Sequence, residues 1–385
     1  MFTRRFMVQA GLLSPILASP LRAQATVDKF YTVGISVDDN RIWTAVSLGK
    51  LKPELFIIDT GSERSVVSQK WATANKLKTG GYTMMRGMGG VEKADVVKVK
   101  DMLIGGVFTK EYQEFAATKS LDRADFVGLL GVDFLLFADC DLDFVKGEWR
   151  VYPEGRTDRT GFYQVPDSIR PRNVAQPIGI AVTVGGFSGY FGIDTGSPSA
   201  LLLDGKAAKN SGLWESDRPY APFAHKGFGA GSSRARIYRA DRIKLHKFVL
   251  EKQLVSLLQP GLDKSNWRDV DGLVGMQALR HFHLSTDTKN KSLWMAPNGL
   301  NFPNEERYPL SGLWLEGSGT NITIEDVGIG SPAAAAGLKV GDKIVGQDFA
   351  AMIKKFSSTP GKSVSFDYER DGKRASVEYT LRPYL

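Results

Sequence analysis

Cysteine is almost missing: Cys140 is the only thiol in the 385 residues. No internal disulfide can form, so the fold must rely on its packed core. Cys140 itself lies in an apolar, strand-like run and reads as a small buried hydrophobe. Histidine is scarce too, four in all, and no His-Glu-x-x-His occurs. His281 and His283 therefore read as packed or solvent-facing side chains rather than metal ligands. There is no Gly-x-Ser-x-Gly elbow, and Gly361-Lys362-Ser363 has Phe356 where a phosphate loop needs its first glycine. Runs of like charge are also lacking. The net charge is +8, but Lys and Arg are scattered. That implies a solvated basic surface and no nucleic-acid groove.

No apolar run is long enough to span a membrane. Met1 to Ala25 reads instead as a signal segment: Arg4-Arg5 form a positive end, Phe6 to Leu21 are mostly apolar, and Ala23-Gln24-Ala25 is a small-x-small cleavage site. Thr3-Arg4-Arg5 hints at the twin-arginine route, with ordinary secretion equally open. The expected location is periplasmic or secreted. Hydrophobic content of 42% and charged content of 24% are those of a globular protein, long enough here for two or three domains.

What the chain does have is one short string used twice. Leu55-Phe56-Ile57-Ile58 runs into Asp59-Thr60-Gly61-Ser62, and Tyr190 to Ile193 runs into Asp194-Thr195-Gly196-Ser197. Each is an apolar strand pattern that stops at Asp-Thr-Gly, which suggests a carboxylate delivered into a tight turn where Gly supplies a permissive backbone. Two such turns can present two carboxylates to each other. A close pair cannot comfortably ionise together, so the site would hold one general acid and one general base.

The surroundings repeat as well. Gly87-Met88-Gly89-Gly90 and Gly227-Phe228-Gly229-Ala230-Gly231 are glycine-rich tips that follow the two strings at similar spacing. Val127 to Leu135 aligns without a gap on Asp271 to Leu279, with Gln277 in place of Asp133. Between the halves, Pro153 to Arg172 is rich in Pro, Gly and charge and reads as a connection.

These motifs resemble the aspartic proteases, of the pepsin and retropepsin kind. The resemblance implies a mainly β fold: two retropepsin-like β-barrel lobes related by pseudo-twofold symmetry, residues 26–156 and 173–300, joined by a linker at 157–172. It implies Asp59 and Asp194 as the catalytic dyad. Thr60 and Thr195 hydroxyls would cross-link the two loops, and Ser62 and Ser197 hydroxyls would bond the outer carboxylate oxygens. Gly61 and Gly196 would allow the turns. Gly87, Met88, Gly89 and Gly90, with Gly227, Phe228, Gly229 and Gly231, would be flap residues that close over substrate. Ser62 and Ser197 are the residue usual in cellular enzymes rather than retroviral ones, a departure that leaves the dyad untouched.

The character changes after Pro297 to Pro309, a turn-rich connection. Gly330-Ser331-Pro332-Ala333 to Ala336-Gly337-Leu338, followed by Gly341-Asp342-Lys343-Ile344, resembles bacterial PDZ domains, with the alanine run as a short helix between Pro and Gly. The domain would span 305–385. In that family Gly312, Leu313 and Trp314 match the loop and strand that bind a peptide C-terminus. No acid or base candidate lies there, so a chain ending near Asn301 is expected to retain its chemistry.

The reading is an exported monomeric aspartic endopeptidase acting on peptide and protein substrates, with no cofactor, no metal and no nucleic-acid partner. The rival is a non-catalytic peptide-binding adaptor that retains the fold.

Overall fold

The computed structural model describes residues 28–87, 90–122, 124–170, 176–226, 232–261, 269–303, 307–357 and 359–385. Residues 1–25, expected from sequence to be a signal segment, lie outside them. In the first half the strands are β1 (Tyr31–Gly34), β2 (Ser36–Asp38), β3 (Arg41–Ser47), β4 (Glu54–Ile58) and β5 (Val66–Ser68). After helix α1 (Gln69–Ala74) come β6 (Thr79–Gly87), β7 (Gly90–Ile104), β8 (Phe108–Thr118) and β9 (Gly128–Leu130), then α2 (Val132–Leu135), β10 (Asp139–Asp143) and β11 (Glu148–Tyr152). The second half holds β12 (Tyr163–Val165), β13 (Gly179–Val184), β14 (Phe187–Asp194), β15 (Leu201–Leu203), α3 (Gly205–Asn210), β16 (Ala221–Lys226), β17 (Ser232–Leu245), β18 (Phe248–Leu258), β19 (Gly272–Gly275), α4 (Met276–Leu279), β20 (Phe282–Asp287) and β21 (Ser292–Pro297). The rest is β22 (Leu313–Ser318), β23 (Asn321–Val327), α5 (Pro332–Ala335), β24 (Lys343–Val345), α6 (Phe349–Phe356), β25 (Ser363–Arg370) and β26 (Lys373–Thr380).

The chain is mainly β. The first-half sheet runs β2-β3-β4-β9-β5-β8-β7-β6, and a further β3–β7 pairing closes it into a barrel. The second-half sheet runs β13-β14-β19-β15-β18-β17-β16, with β13–β17 as the closing pair. Strand for strand the orders are the same, save for the added β2. Even the parallel pairs correspond: β4 with β9 and β5 with β8, β14 with β19 and β15 with β18. Local pattern explains the strands. Ile42, Thr44 and Val46 turn inward along β3 at a spacing of two, whereas Phe56-Ile57-Ile58 and Leu201-Leu202-Leu203 are buried on both faces and read as continuous apolar runs.

A third sheet, β1-β11-β10-β20-β21-β12, takes strands from both halves. Its seam is β10 against β20, with Asp141 opposite Ser285 and Leu142 opposite Leu284. One apolar core runs beneath it through both halves, with Trp149, Phe56, Phe134 and Phe191 fully buried. Cys140 sits in β10 within this core, and burial pushes its thiol up to about 12.

Two expected boundaries change. The connection at 157–172 contains β12, paired to β21 from Tyr163–Met295 to Val165–Leu293. Beside it Arg159 bonds Asp139 at 2.7 Å and Thr286 O at 2.8 Å, and Arg156 pairs with Asp141, so this stretch is built into the seam. Nor is the C-terminal unit held by a tether alone. Its sheet, β22-β23-β24-β25-β26, shares an apolar cluster with Ala221, Ile237 and Leu254 of the second half. Tyr220 Oη donates to Asp326 at 2.7 Å, Arg234 donates to Glu325 O at 2.8 Å and Tyr384 Oη to Tyr220 O at 3.2 Å. Within the unit, the alanine run is helical as α5, capped by Ser331 and ended by Gly337 at φ +80°. Among the described residues no helix is long and apolar enough to cross a membrane.

Candidate active site

Strands β4 and β14 are central in their sheets and end at Asp59 and Asp194. Each end is held by the parallel neighbour: Ile58 lies opposite Leu130, and Asp194 opposite Gly275. Asp59 N donates to Leu130 O at 3.0 Å. The loops then turn against the segments that follow β9 and β19. Val132 N donates to Ser62 O at 2.9 Å, and Met276 N to Ser197 O at 2.8 Å.

The two loops lock together. Thr60 Oγ1 donates to Ile193 O at 2.7 Å and accepts from Thr195 N at 3.0 Å. Thr195 Oγ1 returns both bonds, to Ile58 O at 2.7 Å and from Thr60 N at 3.0 Å. Both threonines are buried. The glycines have a different role from the one the sequence suggests. Neither Gly61 nor Gly196 has a positive φ, so backbone freedom is not what the position demands. Space is. A Cβ on Gly61 would lie 2.4 Å from Asp194 Cγ, and one on Gly196 would lie 2.5 Å from Asp59 Cγ. Each loop thus passes directly over the other's carboxylate, which any side chain would displace.

The serine hydroxyls also differ from expectation. Ser62 Oγ donates to Arg64 O at 2.7 Å, and Ser197 Oγ pairs with Ser199 Oγ at 2.8 Å. A short hydroxyl readily satisfies itself on nearby backbone or side-chain oxygen within its own turn. Main-chain amides serve the carboxylates instead. Gly61 N donates to Asp59 Oδ1 at 2.9 Å, while Asp194 Oδ1 accepts from Gly196 N at 2.9 Å and Ser197 N at 3.0 Å.

These contacts set the protonation. Loss of hydration, then the negative charge of Asp194, holds the Asp59 carboxyl well above the usual carboxylate range. Asp194 is raised less: desolvation lifts it, but the Gly196 amide, a hydrogen bond with Asp59 and the Ser197 amide favour its charged form. Both carboxyls are raised, so the two hold one proton between them. The pair is one titrating unit.

Support around the loops is unequal. Asp133 accepts from Ser65 N and Ser65 Oγ, both at 2.8 Å, and from Gln113 Nε2 at 3.0 Å; burial raises its carboxyl. Gln277 holds the corresponding place in the second half and is buried. Across the halves, Asn40 Nδ2 donates to Pro198 O at 3.3 Å and Arg280 donates to Asn40 Oδ1 at 2.9 Å. This tie and Gln176, which donates to Gly61 O at 3.2 Å, were not singled out from sequence, because only the fold brings them to the loops.

Hairpin β6–β7 pairs Gly87 with Gly90, and its Met85 and Ala94 pack with Ile57 and Leu129. Met88 and Gly89 lie outside the described residues, as do Gly227, Phe228, Gly229 and Gly231 at the tip of β16–β17. A cavity of about 400 Å³ opens at the seam between the halves, lined by Asp39, Asn40, Phe144, Arg280 and Phe302, and neither aspartate borders it. In the C-terminal unit Gly312 and Leu313 are buried and Trp314 is half-buried. Gly312 N donates to Pro309 O at 3.2 Å, and a Cβ there would meet the Ser331 side chain at 2.1 Å.

Residues 45–134 match the family model described as Aspartyl protease. The matched stretch contains Asp59, hairpin β6–β7, strand β9 and Asp133. It supports an aspartic protease family and, in general, a protease hydrolase. No curated protein matches the chain.

Proposed function

We propose that the chain is an exported, single-chain aspartic endopeptidase whose acid and base are Asp59 and Asp194. The observation that carries this reading is the reciprocal lock of the two Asp-Thr-Gly-Ser loops, with each glycine set against the opposite carboxylate. A binding protein has no need of two desolvated carboxylates forced to share a proton.

The chemistry needs one water and an extended peptide. Asp194, ionised, takes a proton from the water as its oxygen attacks the scissile carbonyl carbon. Asp59 gives its proton to the carbonyl oxygen, and a tetrahedral diol results. Asp194 then passes its new proton to the amide nitrogen, Asp59 recovers one from a diol hydroxyl, and the C–N bond breaks. Each carboxylate ends as it began. The desolvated setting strengthens the electrostatic interactions made with the developing charges. The two glycine-rich hairpins would close over the peptide and exclude bulk water. The C-terminal unit, PDZ-like in sequence, would recruit peptide or protein chains.

Cleavage of an unstructured protein, followed across pH, tests this directly. Turnover that disappears in Asp59→Asn and in Asp194→Asn is the expected result. Binding without turnover in the wild type would make the chain a peptide-binding adaptor.

A further inference from the structure

The two halves differ beside the dyad. Side chains two residues apart on a strand share a face, so Ile57 points to the same side as Asp59, and position 192 to the same side as Asp194. In the first half Ile57 is buried beneath hairpin β6–β7, against Met85, Ala94 and Leu129. In the second half that place is Gly192, and the space is taken by Gln176. A Cβ on Gly192 would fall 2.7 Å from Gln176 Oε1 and 2.8 Å from its Cγ. An apolar wall on one side of the carboxylates is therefore matched by a carboxamide on the other.

The carboxamide is half satisfied. Gln176 is 97% buried, being 3% exposed, and its Nε2 donates to Gly61 O at 3.2 Å. That bond fixes which end is nitrogen. Oε1 has no hydrogen-bond partner among the described residues. A buried acceptor without a donor is costly, by about 1–3 kcal/mol, and a ligand that supplies one recovers that energy. Nε2 thus holds the loop whose Gly61 lies against Asp194, and Oε1 lies beside position 192, two residues before Asp194 on the same strand face.

We infer that Gln176 is a specificity-determining residue, which makes the enzyme select an apolar side chain on one side of the scissile bond and a hydrogen-bond donor on the other. Asn, Gln, Ser and Thr carry such a donor; Leu, Met and Phe do not. The assignment rests on the peptidase reading above. Gly192 is part of the device, because only its missing side chain leaves room for Gln176.

Profiling cleavage of a randomised peptide mixture by mass spectrometry tests it, using the full chain as wild type, Gln176→Met, Ile57→Gln and Asp59→Asn. The wild type should show the asymmetric preference. Gln176→Met should make both sides apolar, changing the ratio of kcat/KM for paired Gln and Met peptides by about tenfold or more. Ile57→Gln should admit donors on the formerly apolar side, and it reads the same asymmetry should Gln176→Met fail to fold. A symmetric wild-type profile, or profiles unchanged in either folded variant, would overturn the role of Gln176 and leave the peptidase reading intact. No cleavage by the wild type, or cleavage that persists in Asp59→Asn, would overturn that reading and this assignment together.

Discussion

Thr195→Val offers the sharpest perturbation, because valine keeps the shape of threonine and deletes one hydroxyl. That hydroxyl donates to Ile58 O and accepts from Thr60 N, and both bonds are buried. Losing the donor bond costs about 1 kcal/mol, and leaving the Thr60 amide without an acceptor adds about 1–3 kcal/mol, so the total is about 2–4 kcal/mol. In a chain of this size that lowers the thermal midpoint by roughly 2–5 °C. The catalytic effect should be larger than the stability effect suggests. Thr60 and Thr195 set the spacing of the loops, and a shift of about 1 Å at the carboxylates costs on the order of 100-fold in rate. Thr195→Ser retains the hydroxyl and should stay close to wild type in both measurements. The double variant Thr60→Val/Thr195→Val should cost less than the two singles added, since once the loops separate the second hydroxyl has little left to hold. Scanning calorimetry and steady-state peptide hydrolysis read the two effects. A Thr195→Val protein with an unchanged midpoint and kcat within twofold of wild type would refute the claim that the threonines hold the site.

Asp59→Asn and Asp194→Asn should each abolish hydrolysis, the double variant being no worse, and an equal mixture of the singles should recover nothing if one chain holds one complete site. Because the folded Asp59 carboxyl is raised above its unfolded value, it stabilises the fold fully below the unfolded range near ~4 and loses that contribution as pH climbs through the folded value. Asp59→Asn should therefore raise the thermal midpoint at neutral pH and leave it unchanged in acid; a uniform shift at every pH would count against a raised carboxyl. Arg159→Ala leaves buried Asp139 and Asp287 facing each other without their shared cation, a loss of about 3–5 kcal/mol by denaturant titration. Ending the chain at Asn301 uncovers Ala221, Ile237 and Leu254, so the truncated protein should show a lower midpoint and faster amide exchange in β16–β18, even where it keeps the chemistry expected from sequence.

Much of the arrangement was legible because it is local and written twice. An apolar run that stops at Asp-Thr-Gly-Ser, and a Gly-apolar-apolar-Gly segment further on, each specify a strand and a turn without reference to the rest of the chain. The seam was not legible, for the opposite reason. Asp139-Cys140-Asp141-Leu142-Asp143 alternates like a strand with one wet face, yet all five residues are buried. Their charges tolerate this only because Arg150, Arg156 and Arg159 arrive from elsewhere, the last two from a stretch whose composition reads as a linker. Ala221, Ile237 and Leu254 look like ordinary strand residues, and nothing in their spacing says that a separate sheet covers them.

The departures within the repeat carry the most chemistry. A perfect duplication would give two carboxylates with the same surroundings and no basis for choosing which holds the proton. Here the pattern is broken at chosen places. Ser197 Oγ pairs with Ser199 Oγ, where Ser62 Oγ turns to Arg64 O. Asp133 braces Ser65 in the first half, and Gln277 stands in that position in the second. Ile57 packs beneath hairpin β6–β7 on one side, and Gln176 fills the place over Gly192 on the other. On the proposed reading, an acid and a base can become distinct because the two loops are alike enough to meet and differ in what surrounds them. On that reading, the same inequality, extended one residue pair outward, would give the two sides of a bound peptide different walls to meet.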